Sequence, residues 1–379
     1  MSLSICFVAP NAYGVLSGDT RHCHVGGAEV QQVLVARGLA ASGHQVSFIT
    51  LDHGQEDGCQ FGNIRVLKMY SPGGGLPGLR MVHPKWTGLA GAMRRANADV
   101  YYQRTCGIET GQVCLWCRRH DRPFIFGVGS DRDCEQDLSN LENPLERWFY
   151  RYGLRHANAV IAQTQSQRGR LMEGFGRSSV VIPSCRPVLG EDLVVLQPPP
   201  PGPPHILWVG RFSPIKRPEW CLELAARCPQ LSFDMVGASN IDSAYARSIA
   251  ARAAGLPNVR LHGYVPYDRM GSFYAEAMLL LSTSLYEGFP NTFLEAWSYG
   301  RPVVGTVDPD GVVLASSLGA VAEDLDGLAK GLGDLLADRT RWLQASQAAY
   351  HYVIEHHSLE ATVTAYEGVL AGLGAQNPA

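Results

Sequence analysis

Two cations and two carboxylates in the second half of the chain have types and spacings that suit chemistry. Val209-Gly210-Arg211-Phe-Ser-Pro-Ile-Lys216 ends a short apolar run and precedes a helical pattern from about Pro218. Open α/β sheets bind ligands outside the carboxyl ends of their strands, so Arg211 and Lys216 are placed to grip a diphosphate. Arg211 offers a planar fork to two oxygens at once and Lys216 a compact point charge, with Gly210 beside them at the strand end. Farther on, Glu287-Gly-Phe-Pro-Asn-Thr-Phe-Leu-Glu295 places one carboxylate in a strand-end loop and the other just over one turn into a helix starting near Asn291. A carboxylate there accepts two vicinal hydroxyls, as a ribose presents, and the first N–H groups of that helix, at Asn291 and Thr292, suit a phosphate or a sugar hydroxyl.

Three other stretches invite a chemical reading beside a plainer one. Gly26-Gly27-Ala28-Glu29 opens a helix whose apolar face includes Val33 and Leu34, which makes it either an anion-binding helix start or a simple turn into the helix. It is not the dinucleotide fingerprint, because no Gly-x-Gly-x-x-Gly occurs there, and an NAD-dependent dehydrogenase fails on that ground. Asp131-Arg132-Asp133 has the spacing of two carboxylates that hold a cation on a diphosphate, although Arg211 and Lys216 already bring the charge such a metal would supply. Arg147-Trp-Phe-Tyr-Arg-Tyr-Gly-Leu-Arg155 mixes basic and aromatic residues at helical spacing, which fits a membrane-interface helix or a core-facing helix with one solvated side. Of ten scattered cysteines, the tight pair Cys114 and Cys117 has no matching second pair, so neither a disulfide framework nor a zinc site is expected.

The elements that must position these residues follow from periodicity. Short β-rich runs at Ile5–Ala9, Val46–Thr50, Val100–Tyr102, Phe124–Val128 and Ala159–Ala162 alternate with helical patterns, which predicts βαβ units and a parallel sheet. Gln197-Pro-Pro-Pro-Pro-Gly-Pro-Pro204 lacks most backbone donors and reads as a stiff connector. The pattern then restarts, with strands expected at 205–210, 231–236, 259–262, 278–282 and 302–305 and helices from Pro218, at 242–254 and at 291–299. Leu359, Val363, Tyr366 and Leu370 form one stripe of a final amphipathic helix able to pack back onto the other domain.

Length and composition agree with two domains: 379 residues, 46% hydrophobic and 18% charged. Residues 1–197 carry 20 Lys and Arg against 17 Asp and Glu, a net of +3, which leaves 12 against 18, a net of −6, for the rest. That asymmetry is too small for a nucleic-acid binder and suits an N-terminal domain that meets an anionic or membrane-bound acceptor. The start of the chain has no basic region and only a short apolar run, so a cytoplasmic protein is expected, with peripheral contact at the inner face of the membrane left open.

In this order, Gly26-Gly27-Ala28-Glu29, Gly210-Arg211 with Lys216, His262-Gly263-Tyr264-Val265-Pro266, Glu287 and Glu295 in a Glu-x7-Glu motif, and the terminal helix, the chain resembles the retaining GT-B glycosyltransferases of family four over nearly its whole length. The resemblance implies two Rossmann-like domains facing each other across a cleft: an acceptor-binding domain over 1–197, a linker at 198–204, a nucleotide-sugar domain over 205–358, and a crossover helix and tail at 359–379. It implies transfer of a hexose from a UDP- or GDP-linked sugar, a co-substrate rather than a cofactor, to a hydroxyl of a saccharide or glycolipid, with retention and without a metal. Arg211 and Lys216 would neutralise the diphosphate, Glu295 hold the ribose and Glu287 face the transferred sugar. Tyr264 and Val265 would meet the base; Phe289, Pro290, Asn291 and Thr292 would line the sugar-diphosphate pocket; Gly26 and Gly27 would close over it.

Two departures qualify this. Many members carry a histidine after the strand matching Phe124–Val128, where this chain has Gly127-Val-Gly-Ser-Asp131-Arg-Asp133, so Ser130 or Asp131 is a candidate for the same space. The Gly-Gly-x-x-Glu that often follows the last Rossmann strand is replaced by Asp308-Pro-Asp-Gly311, and the small loops of the first half, including Ser71-Pro-Gly-Gly-Gly75, are expected to meet the acceptor. A GT-B sugar-nucleotide epimerase and a non-catalytic donor-binding subunit are the alternatives.

Overall fold

The computed structural model describes residues 2–19, 26–75, 81–187, 204–237 and 244–375. Its chain divides into two compact units, Met1–Cys185 with Leu359–Ala379, and Arg186–Ser358. The expected connector over 197–204 lies outside the described residues apart from Pro204.

In the first unit, β1 (Ser4–Val8), β2 (Gln45–Thr50), β3 (Cys59–Phe61), β4 (Ile64–Lys68), β5 (Val100–Arg104), β6 (Phe124–Gly127), β7 (Ala159–Ala162) and β8 (Val180–Val181) form one sheet. Their order is β3-β4-β2-β1-β5-β6-β7-β8, parallel throughout except for the β3–β4 pair. Successive strand residues enter different cores: Ile5 and Phe7 pack in one cluster, Cys6 and Val8 in another. That is the period-two alternation of a sheet covered by helices on both faces, and it explains why these strands read as unbroken apolar runs.

The helix Leu359–Ala375 completes the first of these cores. Val363, Tyr366, Leu370 and Leu373 join the cluster that holds Val33, Ala36 and Leu39 of the helix Gly27–Ala41. A side chain at Gly38 would put its Cβ 2.3 Å from Val363 Cγ2, so glycine is needed for the two helices to approach.

The second unit contains β9 (His205–Val209), β10 (Ser232–Val236), β11 (Val259–Gly263), β12 (Leu279–Ser282), β13 (Val303–Gly305) and β14 (Gly319–Val321). All pairings in the order β11-β10-β9-β12-β13-β14 are parallel. The strands expected from the sequence are present with ends moved by a residue or two; β3, β4, β8 and β14 were not anticipated. The nine described cysteines are all free thiols, and burial pushes Cys6 up to about 12 and Cys114 up to about 11. No helix among the described residues is long and apolar enough to cross a membrane.

Candidate functional site

Three neighbouring strands of the second unit end in glycine: β9 runs into Gly210, β10 into Gly237 and β11 ends at Gly263. The Gly210 N–H donates to Val236 O at 3.0 Å, and the Gly237 N–H to Gly263 O at 2.8 Å. Gly237 has φ +137°, and a Cβ there would sit 1.9 Å from Gly210 O, so only glycine lets these strand ends close on one another. Sequence reasoning missed Gly237, although its Val-Gly ending repeats Val209-Gly210.

From this edge the loop carrying Arg211 and Lys216 is fastened to the end of β12. Leu285 N donates to Ile215 O at 2.8 Å, and the Thr283 hydroxyl lies 2.7 Å from Lys216 O. Arg217, in the left-handed region at φ +46°, donates from Nε to Thr283 O at 2.6 Å and stacks its guanidinium 3.8 Å from the Trp220 ring centroid. With Arg217 so used, the cation beside it points elsewhere: Lys216 Nζ pairs with the Glu287 carboxylate, both partly exposed. Arg211 is exposed on the same loop. Two of the expected catalytic residues, Lys216 and Glu287, therefore form a contact pair despite lying 71 positions apart.

Glu287 leads into the helix Asn291–Ser298, whose N-cap is Pro290. Phe289 is 8% exposed and packs its ring 4.7 Å from that of His357 and 6.2 Å from that of Trp297, and Pro290 is buried too, so both act on the helix start from within the core. Asn291 and Thr292 are partly exposed, and Tyr264, 43% exposed, stands next to Val265 after β11. Glu295 is buried one turn into the helix. Its Oε2 accepts the Tyr274 hydroxyl at 2.5 Å, and its Oε1 lies 3.7 Å from the Arg186 guanidinium. Burial pushes the Glu295 carboxyl above its ordinary value, opposed by Arg186 and by the Tyr274 hydrogen bond. Arg186 and Tyr274 were not singled out from the sequence, because nothing local marks a lone arginine after Cys185 or a tyrosine in a short helix.

The candidates of the first unit are tied up locally. Gly26 caps the helix Gly27–Ala41, its N–H donating to Glu29 Oε2 at 3.1 Å, and a Cβ on Gly26 would meet that oxygen at 2.6 Å. Gly27 is the first residue of that helix. Asp131 Oδ1 accepts from Gln167 at 3.0 Å, and its Oδ2 pairs with Arg170 at 3.4 Å. Asp133 is buried and accepts from the N–H groups of Gly129, Ser130 and Cys106 and from the Ser130 hydroxyl. Ser130 and Asp133 thus serve the loop after β6, and among the described residues no group of three or more His, Cys, Asp or Glu could hold a metal ion. The helix Pro144–His156 buries Tyr150, Gly153 and Leu154 while Leu145 and Trp148 remain 40% and 56% exposed, so the basic-aromatic stretch has both a core face and an apolar exposed one.

Comparison with known proteins bears on both units. Residues 26–185 match the model of a glycosyl transferase 4-like domain, and residues 203–338 that of glycosyl transferases group 1. Over 177 residues the chain is 25% identical to the lipopolysaccharide core biosynthesis glycosyltransferase LpsE of Rhizobium meliloti (strain 1021), which is 45% of this chain and 51% of that one. The chain thus spans about half the length of that curated relative. Sucrose-phosphate synthase from Thermosynechococcus elongatus superposes with a TM-score of 0.82 at 17% identity, covering 99% of this chain and 100% of that one. HepE of Anabaena, solved with UDP and glucose, gives 0.76 at 16% identity over 97% and 99%. By its fold and by both of its domains, the chain belongs to the GT-B glycosyltransferases.

Proposed function

We propose that the protein transfers a hexose from a nucleoside-diphosphate sugar to a hydroxyl of a saccharide or glycolipid, with retention of anomeric configuration. The observation that carries this reading is the collection, on one sheet edge, of Arg211, the Lys216–Glu287 pair and the helix that begins at Asn291. A departing diphosphate gathers negative charge as the sugar becomes cationic. Arg211 and Lys216 are held to receive that charge by a loop already fastened to β12, which is the preorganisation that lowers a barrier. Their charge supplies what a divalent metal would otherwise bring, so the transfer is read as metal-independent. Glu287, anchored by Lys216, faces the sugar, and the departing phosphate takes the acceptor's proton.

Glu295 suits the ribose because a carboxylate has about four acceptor positions, of which Tyr274 fills one and Arg186 faces another at ion-pair range. Tyr264 and Val265 meet the base, and Gly26, Gly27 and Asp131 belong to the acceptor domain. HepE was solved with UDP and glucose, which makes UDP-glucose the first donor to try. LpsE is a lipopolysaccharide core enzyme by name, which favours a glycolipid or saccharide acceptor in the cell envelope. Exposed Leu145 and Trp148, on a helix that also exposes Arg151 and Arg155, support peripheral contact with an anionic membrane from the cytoplasmic side.

The test is thermal stabilisation by a panel of nucleoside diphosphates and their sugars, followed by NMR of the product anomer from the donor that binds. A selective shift with one base and a retained anomer support the reading. No shift with any donor sinks it, and a donor epimerised without acceptor would replace transfer with isomerisation.

A further inference from the structure

Arg186 opens the second unit, and Ser358 closes it. The two residues form a parallel bridge, and the Arg186 N–H donates to His357 O at 2.9 Å. His357 is itself buried, with its ring against Phe289 in the segment between Glu287 and Glu295. The backbone of Arg186 is therefore pinned, through His357, to the start of the helix that carries Glu295. Its side chain returns to the same helix from another direction: the guanidinium hydrogen-bonds the Tyr267 hydroxyl and lies 3.7 Å from Glu295 Oε1. The Nε–H of Arg186 is buried without an acceptor among the described residues, a donor that a water or a ligand oxygen can satisfy.

We propose that Arg186 is a positioning residue for the donor site: clamped at its backbone by His357, it fixes the charge and aim of the Glu295 carboxylate, with one N–H left for a donor oxygen. This rests on Glu295 being the ribose ligand. A buried carboxyl with only a phenol for company would take up a proton and turn from acceptor to donor, which suits a vicinal diol less well. Among the described residues, the charged and titratable groups around Glu295 are few. Arg186 and Tyr274 contact it; Tyr267 flanks Arg186; Tyr299 stacks on Tyr274; and Arg301 donates to Tyr274 O. Burial opposes the Arg186 charge, but the neighbouring Tyr267 and Glu295 outweigh it and hold the guanidinium above its ordinary value.

The experiment uses the full chain labelled with glutamate carrying carbon-13 at the side-chain carboxyl, with the Glu295 signal identified by its absence in Glu295→Gln. Titration of wild type, Arg186→Gln and Arg186→Lys, without donor, reads the Glu295 midpoint directly. Arg186→Gln is expected to raise that midpoint by about one to three pH units, and Arg186→Lys, which keeps the charge, to restore most of the shift. Titration calorimetry with UDP then places the loss of affinity in Arg186→Gln over the pH range where its Glu295 is protonated. An unmoved midpoint, or a UDP affinity lost equally at every pH, overturns the role of Arg186. If wild type binds no nucleoside diphosphate, the donor-site reading falls, while the Glu295 midpoint still decides whether Arg186 governs that carboxylate.

Discussion

Asp133 in the first unit and Glu295 in the second are both buried carboxylates whose values burial pushes upward, and the fold fills their acceptor positions to different degrees. Four donors from its own loop and from Cys106 surround Asp133 and leave it little acceptor capacity. Among the described residues Glu295 has a single phenol and a cation at ion-pair range, and so keeps acceptor positions unfilled. Spacing alone does not separate them, since Asp131-x-Asp133 imitates a diphosphate-metal motif while its second carboxylate is a loop fastener. What separates a fastener from a binding group is the number of lone pairs the fold has already filled.

The largest expected separation comes from Arg211→Ala, which should lower turnover on the order of 100-fold to 1,000-fold while the melting temperature stays near wild type, because the side chain is exposed. An equal fall in stability would place Arg211 among the fasteners. Asp133→Ala should do the reverse. It leaves three half-buried N–H groups without their acceptor and is expected to cost about 3 kcal/mol in urea unfolding, with UDP affinity in the folded protein unchanged. Loss of UDP binding at full stability would break the comparison. Glu295→Gln keeps a partner for Tyr274 and removes the charge, so UDP affinity measured by calorimetry should weaken about tenfold, roughly 1.4 kcal/mol.

The smallest effect is on stability against pH. Folding raises the Glu295 value, so the folded chain holds that proton more tightly than the unfolded one. The stability it lends is complete below the ordinary 4.5 and is lost as pH climbs through the raised value. Urea unfolding from pH 4 to 7 should therefore show a steeper decline for wild type than for Glu295→Gln; parallel curves would mean that Arg186 cancels the burial.

Much of this architecture was legible because a parallel sheet buried on both faces writes its strands as unbroken apolar runs, as at Ile5–Val8 and Ile206–Val209. The pair β3 and β4 escaped notice because Gln60 and Arg65 are exposed and interrupt the apolar signal. Lys216 and Glu287 were readable one by one from strand-end position, whereas their pairing depends on how Arg217 pins the loop to Thr283, a tertiary fact. Arg186 was illegible for the same reason. Its meaning comes from His357 and Glu295, both more than a hundred residues downstream, and no local pattern announces either.

The first unit is written in two stretches, with the whole of the second between them, and this matters while the chain is being made. Arg186–Ser358 emerges as one run and can close by itself. The sheet that begins at Ser4 must wait for Val363, Tyr366, Leu370 and Leu373, the last of its core to be synthesised. At bacterial or slower rates of about 5–20 residues per second, the intervening stretch takes roughly 10 to 35 seconds. Through that interval the side of the helix Gly27–Ala41 around Gly38 lacks the cover of Leu359 and Val363, so a nascent chain paused before Leu359 presents a ready surface to chaperones or to other unfinished chains.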